Sequence, residues 1–170
     1  MDAKLRELAQ TFHFPGSSQV QLAHVLATAP LVGDGSIFGS RAVKSTRTSG
    51  SVRRATGFEP APIPLLRFDV EISQEIISTG TLVLLEFSQP HRRRPYLAGQ
   101  FVWLLEDAPD MAVLREEINT PAALEIVKTP LHGSPLSFRR WLFFKGGHQR
   151  LMNEVAANIG TLLATEAGPG

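Results

Sequence analysis

The chain contains no cysteine in its 170 residues, which excludes disulfide scaffolds, cysteine-ligated metal centres and thiol catalysis. No apolar run approaches the ~20 residues needed to cross a bilayer. The opening residues, MDAKLRELAQTFHF, have no signal-peptide hydrophobic core. A soluble cytoplasmic protein without membrane contact is expected. Charge excess is missing too. Seventeen basic and 16 acidic side chains leave a formal net charge of +1, too little to hold nucleic acid by charge density alone.

Catalytic signatures are also absent. The five histidines, His13, His24, His91, His132 and His148, show no HExxH-like spacing. His13 and His24 read as capping or surface residues, His91 and His132 fall in turns, and His148 falls at a helix start. There is no GxSxG elbow. The glycines before Lys44 and Ser45 do not have P-loop spacing. The acid pairs Glu106-Asp107 and Glu116-Glu117 read as helix-start charges and a solvated helix face. No catalytic residue, metal or cofactor is therefore assigned, and a non-enzymatic protein is expected.

What is present is apolar patterning. Hydrophobic residues make up 43% of the chain, enough for one core at this length. Leu5, Leu8 and Phe12 recur at helical spacing before Phe14-Pro15-Gly16. Ser18 and Gln21 have capping-box spacing ahead of the stripe Leu22, Val25, Leu26 and Ala29, and Pro30 marks the stop. Residues 1–32 therefore predict a helical hairpin. Residues 33–64 are rich in Gly, Ser, Thr and Pro, with Arg41, Lys44, Arg47, Arg53 and Arg54 against Asp34 and Glu59. They read as a basic linker or arm, with a weak hairpin signal at Thr48-Ser49-Gly50-Ser51. Arg53-Arg54-Ala55-Thr56 resembles a basic-directed phosphorylation site.

Residues 65–166 predict an α+β domain. Leu66, Phe68, Val70 and Ile72 alternate with polar residues, TLVLLEF places Val83, Leu85 and Phe87 on one face, and YLAGQFVWLLE is apolar on both. Asp107-Ala108-Pro109-Asp110 signals a helix start, and Met111, Leu114 and Ile118 give that helix its buried side. ALEIVKT and LSFRRWLFF add two strands. After Gly146-Gly147, Leu151, Met152, Val155, Ile159, Leu162 and Leu163 give the clearest amphipathic helix in the chain. The expected architecture is an antiparallel five-stranded sheet, βββ-α-ββ-α, with helices packed on it and the helical hairpin at the N-terminal end.

From about Tyr96 to Thr165 this layout resembles the YbjN and type III secretion chaperone-like folds. The resemblance carries no catalytic residue, and it implies a small dimeric protein that holds other polypeptides. A chaperone-like or assembly protein that binds a protein partner or a second copy of itself is thus expected. Trp103, Phe138, Trp141 and Phe143 would be its apolar anchors and the 41–54 arm a polar clamp. One alternative is a nucleic-acid-associated protein using Arg41, Lys44, Arg47, Arg53, Arg54, Arg92, Arg93 and Arg94, since arginine outnumbers lysine 13 to 4. Another is a structural subunit of a viral or phage particle.

Overall fold

A computed structural model of the protein describes residues 6, 8–31, 33–39, 43–49, 52–60, 67–77, 81–88, 98–119 and 147–168. Among these residues the elements run β1 (Thr11–Pro15), α1 (Gln19–Thr28), β2 (Val43–Ser49), β3 (Val52–Pro60), β4 (Arg67–Ile77), β5 (Leu82–Ser88), β6 (Ala98–Ala108), β7 (Met111–Asn119) and α2 (His148–Glu166). The strands form one antiparallel sheet in the order β1-β7-β6-β5-β4-β3-β2. β2 to β7 pair each with the next as a meander, and β1 closes onto β7. α1 packs on β6 and β7, and α2 packs on α1 and β3. The expected class, α+β with helices on an antiparallel sheet, is the one observed, but the described sheet has seven strands rather than five.

The core follows from strand alternation. Phe101, Trp103 and Leu105 on β6 are buried beside Val83 and Leu85 of β5 and Leu114 and Ile118 of β7. Leu22, Val25 and Leu26 of α1, with Leu151, Met152, Val155, Ile159 and Leu163 of α2, close over them. The opposite face of β6 is only half covered. There Val102 and Leu104 sit across from Glu117 and Arg115. Arg115 bonds Glu106 at 2.8 Å and Glu117 at 3.1 Å, so its stem lies along the outer face while its charge stays wet. The Glu106 hydrogen bond, foremost, raises the Arg115 pKa above its usual value.

Three sequence expectations are corrected. Residues 2–5 and 7 of the expected first helix lie outside the described residues, but its end is strand: β1 spans Thr11–Pro15, where Phe14 is buried and His13 points outward. Gly16 then turns the chain at φ +75° and donates its N–H to Asp110 O at 2.8 Å. The capping box itself forms as expected. Ser18 accepts from Gln21 N at 3.2 Å, and Gln21 accepts from Ser18 N at 2.8 Å.

Second, the basic linker or arm of residues 33–64 supplies two strands. Ser49 pairs with Val52, which closes the β2–β3 hairpin across Gly50 and Ser51, and β3 continues along β4. Ahead of them, Ile37 and Phe38 are buried, and their backbone N–H groups bond Pro30 O and Leu31 O at 2.9 and 3.0 Å. A Gly- and Thr-rich sequence reads as coil because its stability comes from ladder bonds and not from an apolar face.

Third, no helix occupies 111–118; that segment is β7. Ala108 pairs with Met111 around Pro109 and Asp110, and Asp110 has φ +60°. A proline followed by a residue of positive φ is the φ pair of a type II turn, so the apparent helix cap is a hairpin. The two later strand candidates, 123–129 and 136–144, lie outside the described residues.

Candidate functional site: a buried acid–base pair

Inward-facing residues of β7 run Ala112, Leu114, Glu116, Ile118, so strand alternation carries one carboxylate into an otherwise apolar layer. Glu116 is 1% exposed. His148, the first residue of α2, is 3% exposed and meets it there. The His148 Nε2 atom lies 3.0 Å from Glu116 Oε2 and 3.2 Å from Oε1. An ionised carboxylate only accepts, so Nε2 carries the hydrogen and shares it between both oxygens. The first turn of α2 has no acid of its own, and Glu116 brings negative charge to that end of the helix. Phe101 stacks on the imidazole, ring centroids 4.1 Å apart and planes 11° from parallel. This contact fixes the ring orientation.

Glu116 is flanked by Gln10, which immediately precedes β1, and by β6. On one side its backbone N–H bonds Gln10 O at 2.9 Å, and Gln10 Nε2 donates to Asn153 Oδ1 of α2 at 3.0 Å. On the other side Trp103 is its direct cross-strand partner on β6. Trp103 Nε1 and Gln10 Oε1 are buried and have no hydrogen-bond partner among the described residues. A carboxylate and an imidazole in contact, shielded from water and held by sheet and helix, can take and return a proton.

Other features do not match this constellation. A groove of about 360 Å³ separates β1 from the C-terminal half of α2, and one of about 570 Å³ lies between the 33–39 turn and α2; neither includes Glu116, His148 or Trp103. Among the described residues no group of three or more His, Asp or Glu could hold a metal ion. His24 makes an exposed contact of 3.7 Å with Glu166. Also among the described residues, no helix is long and apolar enough to cross a membrane.

The residues singled out in the sequence are scattered. Trp103, expected as an exposed anchor, is 1% exposed within the core. Phe138, Trp141, Phe143, Arg41, Arg92, Arg93 and Arg94 lie outside the described residues. Lys44 and Arg47 are on β2 and Arg54 on β3. Arg53 is not a free surface cation. Its Nη1 donates to Ala29 O at 2.6 Å and its Nη2 to Leu26 O, which closes the C-terminal end of α1. Burial pulls its guanidinium pKa below the usual value. Within the tract that resembles a phosphorylation site, Arg53 is engaged and Thr56 lies in β3, opposite Ser45 on β2 and Glu71 on β4. Glu116 and His148, in contrast, are visible in the sequence but read as a wet helix face and a helix start. The parity of Leu114, Glu116 and Ile118 is the signal that would have found the carboxylate.

The sequence matches no protein-family model and no curated protein. The fold matches solved structures. Zhui aromatase/cyclase from Streptomyces sp. R1128 superposes with a TM-score of 0.60 at 9% identity, over 95% of this chain and 97% of that one. The di-domain ARO/CYC StfQ from the steffimycin biosynthetic pathway gives 0.56 at 12% identity over 98% of this chain; the chain spans about half of StfQ, 55%. Ms6760 from Mycobacterium smegmatis gives 0.57 at 10% identity, over 95% of this chain and 94% of that one. These neighbours overturn the resemblance to YbjN and secretion chaperones, and with it the expectation of chaperone-like protein binding. The nucleic-acid and particle-subunit alternatives gain no support from them. At such identities the likeness is one of fold alone.

Proposed function

We propose that the chain binds a small, mainly apolar organic molecule between its sheet and α2, and that Glu116 and His148 exchange protons with it. The observation that carries this reading is the 3.0 Å Glu116–His148 contact inside an apolar layer. Burying two ionisable groups costs folding energy that well-packed hydrophobic residues would not, so their retention fits a chemical use. The fold shared with Zhui and StfQ supports the same class. Ring closure with aromatisation needs a base to remove a proton beside a carbonyl and an acid to protonate the hydroxyl that leaves as water. A carboxylate bonded to an imidazole supplies both.

An aryl methyl ketone tests this directly. 2-Acetylnaphthalene should bind saturably at one-to-one stoichiometry, seen by fluorescence titration. In D₂O the protein should accelerate exchange of the ketone's methyl hydrogens, followed by proton NMR. Glu116→Gln should keep binding and lose the exchange. Binding without accelerated exchange would overturn the proton-transfer role, and absence of binding would overturn the reading as a whole.

A further inference from the structure

Trp103 lies on the same rung as Glu116, on the inward face of β6, and is 1% exposed. Its indole N–H has no hydrogen-bond partner among the described residues. Directly opposite cross-strand residues approach to ~5 Å between Cβ atoms, yet the indole and the Glu116 carboxylate make no hydrogen bond. The carboxylate is committed to His148 instead. A buried donor left unmatched is costly, and native proteins rarely keep one without use. A donor held rigidly in an apolar layer beside an acid–base pair also has a chemical consequence. A site that offers such a hydrogen bond rejects molecules unable to accept it, because the donor then stays desolvated and unpaired.

We propose that Trp103 Nε1–H is the specificity donor of the interior site and selects ligands that carry a carbonyl or other oxygen acceptor on an otherwise apolar, planar frame. The inference rests on the proposed ligand-binding function and assigns its selectivity to one atom. The ligand's oxygen accepts from the indole, which holds the carbon next to that oxygen beside Glu116. Trp103 is thus a positioning residue, and Glu116 and His148 handle the proton.

Two probes of matched shape separate the possibilities, 2-acetylnaphthalene and 2-ethylnaphthalene, which differ by the carbonyl oxygen. Wild-type protein should bind the ketone about five-fold more tightly, the worth of one net hydrogen bond. Trp103→Phe keeps an aromatic ring without the N–H and should bind both probes equally, at the hydrocarbon's affinity. A measurement on the unaltered core covers the case in which Trp103→Phe fails to fold. The chain has two tryptophans, so the ¹H–¹⁵N spectrum holds two indole signals, and Trp141→Phe assigns them. The Trp103 indole proton should move downfield with the ketone and not with the hydrocarbon. Equal wild-type affinity for the two probes, a ketone preference that survives in Trp103→Phe, or an unmoved indole signal would each overturn the role of Trp103 while leaving ligand binding standing. Failure of both probes to bind would instead overturn the function on which it rests.

Discussion

Removing the Glu116 carboxylate should destabilise the protein far more than removing any surface charge. The side chains of His148 and Glu116 are 4% and 0% exposed, and their closest N–O distance is 3.0 Å. When the imidazole is protonated, unit charges at that distance attract by about 5.5 kcal/mol at an effective dielectric of about 20. That attraction offsets desolvation rather than adding to net stability, so the cost appears when one partner goes. Glu116→Leu is expected to lose about 3–5 kcal/mol. For a chain of this length that is a fall in Tm of roughly 6–20 °C. The double variant Glu116→Leu/His148→Phe, which keeps ring packing on Phe101, should recover to within about 1 kcal/mol of wild type or exceed it. Urea denaturation followed by circular dichroism gives the stabilities of wild type, Glu116→Leu, His148→Phe and the double variant, and comparing them at low and high salt should change the losses little, because buried pairs are weakly screened. A loss under about 1 kcal/mol for Glu116→Leu, or a double variant whose loss is the sum of the singles, would refute the claim that the two groups form one buried, coupled unit.

Other elements make smaller, separable predictions. Ser18→Ala should cost about 1 kcal/mol in the same denaturation assay by removing the acceptor for Gln21 N–H, with Asp107 Oδ1, 2.7 Å from Gln19 N, limiting the damage. Arg53→Lys should fail to rescue the loss seen in Arg53→Ala, since only a guanidinium fork reaches the two carbonyls of Leu26 and Ala29 together; equal stability of Arg53→Lys and wild type would contradict this. Asp110→Val should lower stability by about 1–2 kcal/mol because a β-branched residue resists φ +60°, whereas Asp110→Gly should not.

The legible parts of the sequence are those where one physical signal dominates. Alternation along β4, β5 and β6 and the 3.6-residue stripe of α2 needed no context, and the Ser18–Gln21 box marked the start of α1. β7 was misread for a reason tied to the site. Its inward row is Ala112, Leu114, Glu116, Ile118, and the one polar member breaks the apolar pattern where the buried pair forms. Met111, Leu114 and Ile118 then supply an accidental helical spacing. β1 fails similarly, because five residues ending in proline are too short for a period to declare itself, and they pair only with a strand far along the chain. β2 and β3 lack an apolar stripe and depend on neighbours on the ladder. His148 reads as a helix start and is one, but nothing local announces that a carboxylate from β7 meets it.

Closure of β1 onto β7 sets an order of events in the life of the chain. The hairpins from β2 to β7 each join neighbours in sequence and can form as they leave the ribosome. β1 is made first yet has no strand partner until β7 exists. Gln10, which bonds the backbone of Glu116, docks in the same late step, and His148 arrives later still. β7 therefore keeps one edge unpaired until β1 docks, and Glu116 lacks its imidazole partner until α2 settles.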